Sequence, residues 1–310
     1  PLITPQDARS SLGLSTDTLA GVMSSLLFQR PTPLDYFASL VADDRQFSQL
    51  EAAVAVAQVA DAQFDVQAVM TQIDELAEKL KQRIAADAAP LQRLRYLNRY
   101  FFQELGFAGN VNDYYAPENS YLHRVLATRR GIPITMALIY IEIAQQIGLD
   151  ARGVSFPGHF LIKLKMPQGE VVIDPFTGRS LSRDDLDERI APYRRRHGLT
   201  GDAEVPLGLF LQAATPRAVI ARVLRNLKEI HRSAEDWDTL LAVMQRLVIL
   251  LPDDWDERRD RGLVLAEIGD AEAAVADLAA YVEHSPGADD VRAINERIGE
   301  LRATGRPQLH

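Results

Sequence analysis

A chain of 310 residues without one cysteine excludes disulfides, thiolate metal sites and thiol nucleophiles together, and that usage suits a reducing cytoplasm. Its formal charge of −9, with no long basic stripe, argues against direct contact with nucleic acid. The length points to two domains with a full core. No stretch approaches the roughly 20 apolar residues of a membrane helix, and "PLITPQDARS" has neither the basic start nor the apolar run of a signal peptide.

Residues 1–33 read as a loose arm with room for a short helix around Leu19–Gln29. From 34 to 106 the pattern is helical and is expected to pack on the core. Leu50, Val54 and Ala57 recur at helix spacing, then Val69, Ile73, Leu76 and Leu80. A third helix opens at Pro90 and closes at Gly106.

A different texture starts at 107. Gly109, Asn110, Asp113 and Pro117 mark irregular backbone. Asn119 or Ser120 is placed to cap a short helix ending near Arg130. Gly131 breaks the chain, Pro133 suits a first helical position, and "ITMALIYIEIAQQIG" is apolar on nearly every side, so this helix must be buried. Three strands follow, "ARGVSF", "HFLIKLKM" and "EVVIDPF". Phe160, Ile162, Leu164 and Met166 share one face of the second, with Val171 and Ile173 as core partners on the third. His159 and Asp174 then share the opposite, polar face. A turn centred on Pro167–Gln168 puts Asp174 opposite Leu161 and diagonal to His159, within side-chain reach; a longer turn separates them by another pair. Ser182 is a helix cap with acids in the first turn behind it. The basic "PYRRRHG" at 192–198 reads as a solvated helix end, and residues 198–214 as connection.

From 215 to 302 the chain repeats itself. Pro252 and Pro286, 34 residues apart, each close a helix pair. Gly262, Leu265, Ala274 and Leu278 fall where a tetratricopeptide repeat needs small, large, small and large side chains. Leu240 and Met244 match more loosely in the first unit, where Lys228 replaces a small residue. Such stacks bind peptides or pack on a neighbouring domain, and two units are short for a long groove.

The motifs "PENSYLHRVLATRRGIPI", "GVSFPGHFL" and "IDPF" together resemble the SirB-operon family of bacterial proteins, which join a transglutaminase-like domain to tetratricopeptide repeats and are often labelled transcriptional regulators. The resemblance runs from about residue 50 to 290. It implies an α+β fold: a helical N-terminal segment, a papain-like core of 107–197 with a buried helix on an antiparallel sheet, and C-terminal helical repeats. It also implies a triad of cysteine at the start of the buried helix, histidine and aspartate. Histidine falls on His159 and aspartate on Asp174, while the cysteine position falls at or near Pro133. On that resemblance the His–Asp pair looks like the remainder of a triad whose nucleophile is missing.

Substitutes for the thiol are Thr135 and Ser120, each with a structural alternative, a backbone hydrogen bond and a helix cap. Either hydroxyl would need an aligned base and an oxyanion hole. His159 and Asp174 with His123 or Asp113 would be a poor zinc set, since no H-x-x-x-H or H-x-E spacing occurs; no metal or other cofactor is expected. His197, His231, His284 and His310 are expected on exposed segments. The resulting expectation is a non-catalytic scaffold that binds a protein or peptide, with a cleft around Asn119, Ser120, Arg130, Pro133, Gly158 and Phe160. The rival is an amide hydrolase or acyl transferase using a hydroxyl or an activated water at His159.

Overall fold

The computed structural model describes residues 31–199, 201 and 205–304. The N-terminal arm, its helix at Leu19–Gln29 and His310 lie outside the described residues, apart from the last residues of the arm. Helix α1 (Pro33–Val41) opens with a capping box between Thr32 and Asp35 and a proline in its first turn. Helices α2 (Gln49–Ala55) and α3 (Val66–Lys81) follow, and α3 buries the stripe of Val69, Ile73, Leu76 and Leu80. Helix α4 (Pro90–Asn98) runs on into a π-helical turn, Arg99–Glu104. Gly106, at φ 72°, ends the element.

Next come strand β1 (Ala108–Gly109), helix α5 (Leu122–Thr128), strand β2 (Arg130–Gly131) and helix α6 (Pro133–Gln146). Strands β1 and β2 pair in parallel over two residues each, too short for any alternation to show in the sequence. Neither Asn119 nor Ser120 caps α5. Both sit in a 3₁₀ turn, and Tyr121 occupies the cap position without a side-chain bond. Helix α6 is buried along almost its whole length, as an all-apolar helix must be.

The main sheet is an antiparallel meander of β3 (Asp150–Val154), β4 (Leu161–Met166), β5 (Gly169–Asp174) and β6 (Arg179–Leu181). The short, polar β6 gave no strand signal. Met166 pairs with Gly169, so the β4–β5 turn is the short one centred on Pro167–Gln168. One step beyond the Ile162–Ile173 pair puts Leu161 across from Asp174.

Phe160, Ile162, Leu164 and Ile173 join α6 in the principal core. The other face is not the open polar one expected. Val154, Leu161 and Val172 pack there under Leu186 and Ile190 of α7 (Arg183–Arg196). The reason is visible along β5, where Glu170, Val172 and Asp174 share that face, so an apolar centre lies between two polar ends.

After the short helix α8 (Leu207–Phe210) the remainder is helical: α9 (Pro216–Ser233), α10 (Trp237–Leu250), α11 (Trp255–Glu267), α12 (Ala271–His284) and α13 (Val291–Thr304). Helices α9 and α10 bury Val219, Ile220, Leu224, Leu227 and Leu247 in the same cluster as α6, whereas α11–α13 gather around Leu265, Leu278 and Tyr281. A Cβ on Gly262 would lie 2.9 Å from Leu278, so the small residue is a packing requirement. Lys228, standing where a small residue is usual, is buried and pairs with Glu257 and Asp260 at 2.6 Å each. His231 is also buried and bonds Asp236 at 3.0 Å, contrary to the exposed setting expected for it. Among the described residues no helix is long and apolar enough to cross a membrane.

Candidate functional site

Phe156–Pro157–Gly158–His159 forms a tight turn just before β4. The His159 N–H donates to Phe156 O at 3.0 Å, and Gly158 has φ 72°. Proline followed by a glycine at positive φ is the signature of a type II turn. His159 therefore sits in the turn, not on the strand as expected, and swings towards the end of β5. Its Nε2 lies 2.8 Å from Asp174 Oδ1.

Asp174 is held from three directions. Besides His159, Oδ1 accepts the Phe176 N–H at 2.9 Å, and Oδ2 accepts from Arg189 Nη2 of α7 at 3.0 Å. Its side chain is only 2% exposed. Burial opposes the charge, but the bonds from His159, the Phe176 amide and Arg189 together bring the carboxyl down to about 2. An ionised carboxylate can only accept, so the network assigns a proton to His159 Nε2, and in the neutral ring the lone pair is on Nδ1. Nδ1 has no hydrogen-bond partner among the described residues.

His159 lines a recess of about 40 Å³ together with Ile132, Pro133 and Ile134 at the start of α6. That volume holds on the order of three water-sized groups. Pro133, the first residue of that helix, therefore lines the same recess as the imidazole. Thr135 is turned away; its Oγ1 donates within 2.7 Å of Asn119 O and 3.1 Å of Ile132 O. Ser120 is fully buried, and its Oγ has no hydrogen-bond partner among the described residues.

The structure brings His159, Asp174, Pro133 and Phe160 together, with Gly158 in the adjoining turn. It does not bring Arg130, whose exposed guanidinium donates to Gly106 O at 2.7 Å and ties β2 to the end of the π turn. Asn119 is buried and clamps the neighbouring loop: its amide nitrogen donates to Asp113 O at 2.6 Å and Tyr114 O at 3.1 Å, and its Oδ1 accepts from Asn110 at 3.0 Å. His123 packs on Phe64 with ring centroids 4.5 Å apart. No group of three or more His, Asp or Glu among the described residues could hold a metal ion.

The recess opens into a groove of about 740 Å³, and the two share Tyr114, Ile132 and Asn226. One wall is the 110–116 loop with Tyr114 and Tyr115, 44% and 79% exposed, which stack edge to face with centroids 5.3 Å apart. The other wall is α9, through Arg222 at the recess and Asn226, Glu229, Ile230 and Ser233 along the groove. Those positions form one helical stripe. Sequence reading missed Tyr114, Arg189, Arg222 and Asn226. The polar stripe at 222, 226, 229 and 233 on an otherwise core-facing helix was the signal available. A larger depression of about 880 Å³ between α1 and the α10–α11 turn shares no residue with this site.

A family model described as the transglutaminase-like superfamily matches residues 67–225, and one described as a tetratricopeptide repeat matches 227–299. The "UPF0162 protein" of Xylella fastidiosa strain Temecula1 is 33% identical over 86% of this chain and 94% of its own length. The "UPF0162 protein" of Vibrio cholerae is 26% identical over 76% of this chain and 87% of its own. The "UPF0162 protein YchA" of Escherichia coli K12 is 27% identical, with coverages of 72% and 81%. No solved structure matches the chain.

Proposed function

Starting from a chain that belongs to the UPF0162 family, with a transglutaminase-like domain and tetratricopeptide repeats, we propose that it is a non-catalytic scaffold whose groove takes a protein or peptide segment. One observation carries this reading. His159 is oriented and polarised by an ionised, buried Asp174, yet the helix-start residue that lines the same recess is Pro133. Proline offers neither a nucleophile nor a backbone N–H. Thr135 is committed to two carbonyls. A binding role uses what the recess retains: a fixed imidazole acceptor, an aromatic lip and an apolar floor.

The reading includes kinship with the SirB-operon proteins, a cytoplasmic setting, and regulation exerted through protein partners. The charge of −9 favours such partners over DNA. A photo-crosslinking residue in place of Tyr115 tests it, with the same reporter combined with His159→Ala or Asp174→Ala. The expected result is a discrete crosslinked partner in the otherwise wild-type chain and its loss in both combinations, with circular dichroism unchanged. Identical crosslinks in all three chains would remove the recess from the function. Incorporation of a dansylated amine into casein by the wild-type chain, abolished by His159→Ala, would make the protein an acyl transferase instead.

A further inference from the structure

Among the described residues the cations of α9 are paired with carboxylates in all but one place. Arg217 bonds Asp44 at 2.6 Å, Arg225 bonds Glu257 and Asp254 at 2.6 and 2.7 Å, and Lys228 bonds Glu257 and Asp260. Arg232 reaches Glu229 and Asp260 at 3.4 and 3.3 Å. Among the described residues Arg222 has no carboxylate partner. Its contacts are a long bond to Ser155 Oγ at 3.4 Å and the Phe160 ring, 5.7 Å from its centroid. It is half-buried at the mouth of the recess that His159 and Tyr114 also line. Asn226, one turn further along α9, lines the same recess, and its amide makes no hydrogen bond among the described residues.

A guanidinium withdrawn from water without a counter-charge is costly, and a planar carboxylate matches its donor fork. We propose that Arg222 is the anchor for a carboxylate carried by the peptide that occupies the groove, with Asn226 and the Tyr114 hydroxyl supplying further hydrogen bonds and an adjacent apolar or aromatic residue lying between Tyr114, Tyr115 and Ile230. This rests on the scaffold reading of the same groove and adds the chemical class of its ligand. The recess is large enough for a carboxylate and too small for a second side chain. The groove beyond it falls in the range of small-ligand and peptide sites, roughly 300–1,000 Å³.

Three probes test the proposal on the full chain: acetyl-phenylalanine, its amide, and acetyl-Phe-Glu-amide, whose only acid is on a side chain. Methyl shifts of Ile132, Ile134 and Ile230 report occupancy. At least tenfold tighter binding of acetyl-phenylalanine than of its amide is expected. Arg222→Met, which keeps a long unbranched side chain without the charge, should abolish that difference, and Arg222→Lys should restore part of it. Tight binding of acetyl-Phe-Glu-amide assigns the carboxylate to a side chain; weak binding assigns it to a chain terminus. Equal binding of acid and amide to the wild-type chain, or a preference that survives Arg222→Met, overturns the carboxylate anchor while leaving the groove occupied. No shift at those methyls with any probe at its solubility limit overturns the anchor and the groove reading together.

Discussion

Replacing Asp174 by asparagine tests the central electrostatic arrangement. The carboxyl moves from the 3.8 of a free aspartate to about 2 in the folded chain, burial opposing the charge and the His159, Phe176 and Arg189 donors outweighing it. At about 1.4 kcal/mol per tenfold change in proton affinity, that depression is worth about 2 kcal/mol of stability at neutral pH. A depressed carboxyl contributes fully above its unfolded value and loses its contribution as pH falls through its folded one. The term is therefore intact from pH 7 to about 5, roughly half gone at pH 3, and absent near pH 1. Asparagine keeps an acceptor for His159 and the Phe176 amide, but it turns amide hydrogens towards Arg189. Urea unfolding of the wild-type and Asp174→Asn chains at pH 7, 5, 4 and 3 measures the gap. About 2 kcal/mol at pH 7 to 5, shrinking by about half at pH 3, is expected. A gap below about 0.5 kcal/mol at pH 7, or one that stays constant down to pH 3, would refute the claim that the folded state holds Asp174 as a charged acceptor.

Other perturbations have outcomes as definite. Pro133→Cys creates the only thiol in the chain, at a helix start and in the recess that His159 also lines. Iodoacetamide alkylation against pH should show it titrating in the roughly 3.5–7.5 range rather than near 8.5, and returning upwards when His159→Ala is added; a thiol indifferent to His159 would contradict the placement. Gly109→Ala would put a Cβ 2.3 Å from the Phe176 ring, so thermal denaturation should show a loss of about 1–3 kcal/mol together with loosening of the 110–116 loop in hydrogen exchange. Lys228→Met should cost about 1–3 kcal/mol in urea unfolding by removing one of the two cations on buried Glu257, which keeps Arg225 at 2.6 Å, and adding Glu257→Gln should recover part of it.

Much of this architecture was legible because its signals were periodic. The buried helix showed itself through a nearly all-apolar run between Gly131 and Gly148, and the alternation of β4 and β5 allowed the His159–Asp174 meeting, although the turn length that decides it was not fixed by sequence. What escaped had no period to read. Strands β1, β2 and β6 are two or three residues long and are held by tertiary pairing. Arg130 looked like a site residue because it adjoins the motif, yet it serves the backbone carbonyl of Gly106, just beyond the π turn. Asn119 also proved structural, since its amide matches three groups of the adjacent loop. Arg222 and Asn226 could not be assigned to the site from sequence because they arrive from a helix about 60 residues beyond His159, and only packing brings that helix alongside.

The transglutaminase-like match ends at residue 225 and the repeat match begins at 227, so the border between the two falls inside one unbroken helix, Pro216–Ser233. There is no linker to bend at that point. A partner that grips the repeats and tilts them levers the wall bearing Arg222 and Asn226 by the same angle, and excising either half would shear a rod that both halves use as their own.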